Sequence, residues 1–180
     1  MAAAGSYLFF LWLLSILLVA AKDQPFVFQN GNMKFIVESL KTSCDHDYVE
    51  YFEKVPNSEM LYTFRVVKLA SAFTIDVVAK VMKTQRIMYK LVNISGCEFL
   101  GNPILYKVFD TAYKKLVVNG SFFKCPIKPN VYFLKNDEAL SLFPSFHPPG
   151  RFQLSMRVKM RESRGPFVME MLWKYKIVRL

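Results

Sequence analysis

Histidine, cysteine and glycine are all scarce in this chain, with two, three and seven residues among 180. The two histidines are His46 and His147. His46 sits in Cys44-Asp45-His46-Asp47, where one soft and several hard ligands fall within four residues, but no further ligand follows at productive spacing. That segment therefore reads as a polar turn between two strands. His147, in the proline-rich loop Phe146-His147-Pro148-Pro149-Gly150, reads as solvated. There is no G-x-S-x-G elbow, Walker loop, H-E-x-x-H or paired C-x-x-C. The expectation is a protein without catalytic activity, metal or cofactor. Internal repeats, low-complexity tracts and linkers are also missing, which leaves one domain.

Charge is missing from the whole of the first 21 residues. Residues 1–21 contain no charged residue and 18 apolar ones, with the run Tyr7–Val19 broken by Ser15 alone. A short apolar core, then Ala20-Ala21, then Lys22-Asp23 is the pattern of a secretory signal peptide cut after Ala21. The rival reading is a retained anchor, since Ala2–Ala21 could just span a bilayer. On the first reading the domain is 22–180, secreted and extracellular. Cys44, Cys97 and Cys125 then pass through an oxidising compartment, and an odd count leaves one thiol over or paired with another chain. Asn93-Ile94-Ser95 and Asn119-Gly120-Ser121 become glycosylation sequons at Asn93 and Asn119.

Alternation with period two dominates the rest. Phe152, Leu154, Met156, Val158 and Met160 share a face opposite Arg151, Gln153, Ser155, Arg157, Lys159 and Arg161. Phe167, Met169, Met171, Trp173, Tyr175 and Ile177 alternate in the same way, and Arg164-Gly165-Pro166 supplies a turn between the two runs. The last 30 residues read as an antiparallel hairpin. Phe73, Ile75, Val77 and Val81 share a face, and 34–40, 60–69, 85–94 and 131–134 are β-rich. Seven or eight strands predict an all-β fold, a sandwich of two sheets. One segment breaks the period. Leu105, Val108, Phe109, Ala112 and Leu116 follow helical spacing behind Asn102-Pro103, which predicts one inserted amphipathic helix.

The formal charge is +10, and residues 151–180 supply +6 of it from eight cations and two acids. Alternating cations on an exported chain either keep the domain soluble or draw it to an anionic surface, such as a membrane or glycan, or to a membrane receptor, and do not point to nucleic acid. Seventeen Phe, nine Met, nine Tyr and two Trp give the apolar side bulky, adaptable residues suited either to a filled core or to a ligand cavity.

Gly96-Cys97-Glu98-Phe99-Leu100, then Asn119-Gly-Ser-Phe-Phe-Lys-Cys125-Pro126-Ile127, then Pro144…Pro148-Pro149-Gly150-Arg151-Phe152-Gln153-Leu154 form an ordered set of short motifs. This order resembles an insect family of small secreted proteins, catalogued as a domain of unknown function, that includes the CheB chemosensory proteins. That family is similar in turn to the ML lipid-recognition superfamily, with its ganglioside activator protein and Niemann–Pick cholesterol carrier. The resemblance implies an immunoglobulin-like, ML-like two-sheet β-sandwich whose sheets separate to admit a lipid. It also implies a Cys97–Cys125 disulfide around the helix. Relatives carry another cysteine a dozen or so residues after the one matching Cys44; here 55–59 hold none, so Cys44 is expected free or linked between chains.

The leading expectation is a secreted carrier or presenter of a lipid or other hydrophobic small molecule, with chemosensation as one setting the resemblance suggests. Its ligand pocket is expected to be lined by Phe73, Ile75, Tyr89, Leu91, Phe109, Phe152, Leu154, Met156, Met169, Met171 and Trp173. The rival is an extracellular protein–protein module, a co-receptor with a solid core, using the basic hairpin around Arg157, Lys159 and Arg161.

Overall fold

The computed structural model describes residues 25–101, 117–118, 124–135 and 147–180. The expected leader, the helix expected between Asn102 and Leu116 with its Phe109, and the sequon residue Asn119 lie outside the described residues.

The chain is all-β, built as two antiparallel sheets. Among the described residues nine strands follow in order: β1 (Phe26–Asn30), β2 (Met33–Cys44), β3 (Val49–Lys54), β4 (Leu61–Val66), β5 (Phe73–Val81), β6 (Ile87–Ser95), β7 (Asn130–Lys135), β8 (Gly150–Met160) and β9 (Met169–Arg179). A single helical turn, α1 (Gly96–Gly101), follows β6. The larger sheet has the order β1-β2-β9-β8-β5-β6 and the smaller β3-β4-β7. One cluster of buried side chains draws on both. Phe35, Phe152, Met171 and Tyr175 come from the larger sheet, and Val49, Phe52, Phe64 and Tyr132 from the smaller.

Local sequence explains the elements. In β8 and β9 the alternation puts apolar residues on one face, and cross-strand partners agree: Phe152 faces Tyr175, Leu154 faces Trp173, Met156 faces Met171 and Val158 faces Met169. The expected hairpin therefore forms, although its connection is the whole of 161–168 and not a tight turn at Gly165. There Glu162 accepts a hydrogen bond from the Ser71 backbone N–H (2.9 Å), and hydrogen bonding from the Ser71 side chain, then from its backbone, holds the carboxyl below the usual range. Between β1 and β2, Asn30 pairs with Met33 around a two-residue turn whose first residue, Gly31, has φ +58°, a conformation glycine adopts without a Cβ penalty.

The chain crosses from the larger sheet to the smaller at Cys44-Asp45-His46-Asp47, the polar turn expected there. Asp45 Oδ1 accepts the N–H groups of Asp47, Tyr48 and Val49 at 3.0, 3.0 and 3.2 Å, and His46 sits at φ +60°. Lys68 pairs with Asp47, which raises the ammonium pKa. Two strands, β1 and β3, lie beyond those read from the sequence. In β3, Val49 and Phe52 point inward because the register shifts between Val49 and Tyr51, so strict alternation fails.

Candidate functional site

Strand pairing lays the inner face of the larger sheet out as rows. One runs Thr42–Met171–Met156–Val77–Leu91 across β2, β9, β8, β5 and β6, and the next runs Leu40–Trp173–Leu154–Ala79–Tyr89. A third runs Cys44–Met169–Val158–Ile75–Ile94. Cross-strand partners share a face, so these rows and the adjoining Phe152 and Phe73 bring ten expected pocket residues together. The eleventh, Phe109, lies outside the described residues.

Burial changes along the rows. On β9, Met171 is 1% exposed and Trp173 3%. On β8 and β5, Leu154, Met156, Val77 and Ile75 are half-buried while Ala79 is buried, and on the edge strand Leu91 is 57% exposed. The apolar surface thus runs without a polar break from sealed core to solvent within four strands. The smaller sheet contributes Phe64, Val66 and Tyr132 to the same core cluster.

Polar groups are embedded in this face as well. Trp173 Nε1 is fully buried and has no hydrogen-bond partner among the described residues. His147, expected in solvent, is instead 0% exposed. It packs edge-on against Phe152, Tyr89 and Tyr175, with centroids 4.4, 5.6 and 5.9 Å away. Its Nδ1 lies 3.3 Å from the Pro148 carbonyl and its Nε2 3.2 Å from Tyr175 Oη. The carbonyl can only accept, so Nδ1 carries the proton and Nε2 accepts from the phenol. Burial lowers the imidazole pKa and raises that of Tyr175. The local sequence hid this arrangement, because two of the three rings around His147, Tyr89 and Tyr175, come from strands far from it in sequence and the hydroxyl that pairs with it comes 28 positions later. Gly150, which leads into β8 at φ +151°, uses a conformation open to glycine.

The outer face of the same sheet is polar. Arg157 Nε donates to Glu170 Oε1 at 2.8 Å, Ser155 Oγ donates to the same oxygen at 2.7 Å, and the guanidinium lies 5.1 Å from the Phe167 ring centroid. Arg151 pairs with Glu38 at 2.9 Å. Lys159 and Arg161 are exposed. A shallow depression of about 260 Å³ lies here, between Asp76, Lys80, Gln153 and Arg157. Another of about 430 Å³ lies where Phe26 of β1 meets Met60, Leu61 and Lys135 near the smaller sheet. Neither is lined by the expected pocket residues.

Cys97 and Cys125 form a disulfide, tying α1 to the segment before β7, as the resemblance implied. Next to it Ala70 and Ile127 exchange backbone hydrogen bonds of 3.0 and 2.8 Å. Cys44 is free and half-buried, with burial raising its pKa. Asn93 is exposed at φ +57° in an irregularity of edge strand β6, and its N–H donates to Asp76 Oδ1 at 2.7 Å.

No curated protein matches the chain. Residues 73–154, from the first residue of β5 to Leu154 on the inner face of β8, match the model of a family described only as a protein of unknown function (DUF1091).

Proposed function

We propose that this is a secreted, non-catalytic binding protein that carries or presents a lipid or other hydrophobic small molecule. One observation carries the reading. The apolar row Met171–Met156–Val77–Leu91 begins in the sealed core and ends at an exposed leucine on β6, the edge strand of the sheet among the described residues. A solid core closes such a row with polar residues at its rim; an apolar path to solvent suits a molecule that enters between the sheets. On this reading the two sheets form an ML-like sandwich, similar to the lipid carriers named above. A ligand burying about 300 Å² of apolar surface would gain roughly 7 kcal/mol before ordering costs. The disulfide fits an oxidising compartment, and with the leader-like residues 1–21 and the sequons it supports export. Chemosensation is one setting for such a carrier.

The test is uptake of an apolar fluorescent probe. Met156→Trp fills the half-open centre of the row and is expected to abolish uptake while leaving the circular dichroism spectrum and melting temperature near those of the parent. Lys174→Gln, on the outer face, should leave uptake unchanged. Undiminished binding by folded Met156→Trp would refute the site.

The rival reading, a protein contact through the basic hairpin, has less support, because Arg157 is already committed to Glu170 and Phe167. Salt separates the two. Binding through Lys159 and Arg161 should weaken steeply with ionic strength, whereas uptake into an apolar site should not.

A further inference from the structure

Trp173 is a buried residue of the inner face with half-buried cross-strand neighbours on both sides. Its cross-strand neighbours are Leu40 on β2 and the half-buried Leu154 on β8, and Met171 and Tyr175 flank it along β9. Its ring is 3% exposed, yet its indole N–H has no hydrogen-bond partner among the described residues. A buried donor left unpaired costs about 1–3 kcal/mol, and such groups are rare in native cores. An aromatic side chain without the N–H, such as the smaller phenylalanine, would avoid that cost.

We propose that Trp173 Nε1–H is the polar anchor of the apolar site, donating a hydrogen bond to one uncharged oxygen of an otherwise apolar ligand. This deepens, and rests on, the reading of the inner face as a ligand site. The chemistry around the indole selects the ligand class. The rows through Met169, Met171, Trp173 and Tyr175 contain no Lys, Arg, Asp or Glu on the inner face among the described residues. An ionised carboxylate or phosphate placed there would lose its hydration without gaining a counter-ion. A neutral ester or ketone carbonyl loses little hydration and accepts the indole hydrogen. A pure hydrocarbon would fill the space and leave the donor as it is. The inferred ligand is therefore a long-chain molecule with an uncharged carbonyl, of the fatty-ester class, and not a free fatty-acid anion or an alkane.

The experiment uses the protein secreted from eukaryotic cells; the one other tryptophan, Trp12, lies in the leader-like residues 1–21, whose removal leaves Trp173 alone. Methyl dodecanoate and tetradecane, matched in chain length, compete against a bound apolar fluorophore. Adding Trp173→Phe is expected to weaken the ester about tenfold and to leave the alkane within about twofold. Without any change at position 173, the single indole ¹⁵N–¹H resonance should move downfield on ester binding and hold its position with the alkane. If both ligands bind but Trp173→Phe affects them alike and the indole resonance ignores the ester, the anchor is overturned while the apolar site stands. If neither ligand displaces the fluorophore from the parent chain, the site itself fails and the anchor with it.

Discussion

His147 Nε2 lies 3.2 Å from the hydroxyl of Tyr175 at a position closed to solvent, so the imidazole is held neutral between a phenol donor and the Pro148 carbonyl. Protonation would place a charge among Phe152, Tyr89 and Tyr175. Burial lowers the folded-state pKa below the ordinary 6.5, so through the interval below 6.5 the unfolded chain binds more protons than the folded one. Stability contributed by neutral His147 is full above that ordinary value and declines as pH falls through it. Urea midpoints measured from about pH 8 to about pH 5 should fall, and His147→Gln should flatten that part of the profile. Tyr175→Phe, which removes the donor, should cost about 1–2 kcal/mol at neutral pH.

Gly96 permits the close approach of Phe73. A Cβ at position 96 would stand 2.1 Å from Cε2 of that ring, which is itself buried. Gly96→Ala should therefore cost about 1–3 kcal/mol through overpacking. Phe73→Leu in the same chain should recover part of the loss, since it withdraws the ring, and a double-mutant cycle of melting temperatures would read the coupling. Additive effects would contradict the contact.

The Cys97–Cys125 bond closes a loop across a sequence separation of 28 residues, worth roughly 3–4 kcal/mol by chain entropy. Replacing both cysteines with serine should lower stability by about that amount. In unreduced protein a thiol reagent should modify Cys44 alone. Labelling should be slow and accelerate with pH, because burial raises the thiol pKa and only the thiolate reacts. Labelling at Cys97 or Cys125 would contradict the pairing.

Asn93 is the one sequon asparagine among the described residues, and it projects from β6, the edge strand of the larger sheet among those residues. A glycan there would screen unpaired backbone groups from other chains. Asn93→Gln, secreted from eukaryotic cells, should lose the mass of one glycan and form more aggregate at equal concentration. An unchanged mass would show that the sequon is not used.

Much of the larger sheet was legible because its strands bury one face only. Phe152 to Met160 and Met169 to Ile177 advertise their inner side by alternation, and Phe73, Ile75 and Val77 continue it on β5. The smaller sheet was harder to read. In β3 a register shift puts Val49 and Phe52 inward among Glu50, Glu53 and Lys54, and no period survives. The site was legible as a face but not as a gradient. Nothing local distinguishes sealed Met171 from half-open Met156, or marks Leu91 as exposed, because position within the sheet order decides burial. His147 illustrates the same limit. A proline-rich loop predicts solvation, and rings from strands far from it in sequence reverse it.

The most direct test of the account is mass spectrometry of an organic extract from the protein, secreted by eukaryotic cells and purified without detergent. Near one equivalent of a neutral, carbonyl-bearing lipid is expected from the parent chain and almost none from Met156→Trp. An empty extract from the parent, together with failure of apolar probes to bind it, would contradict the ligand-binding account and leave the basic outer face as the working surface.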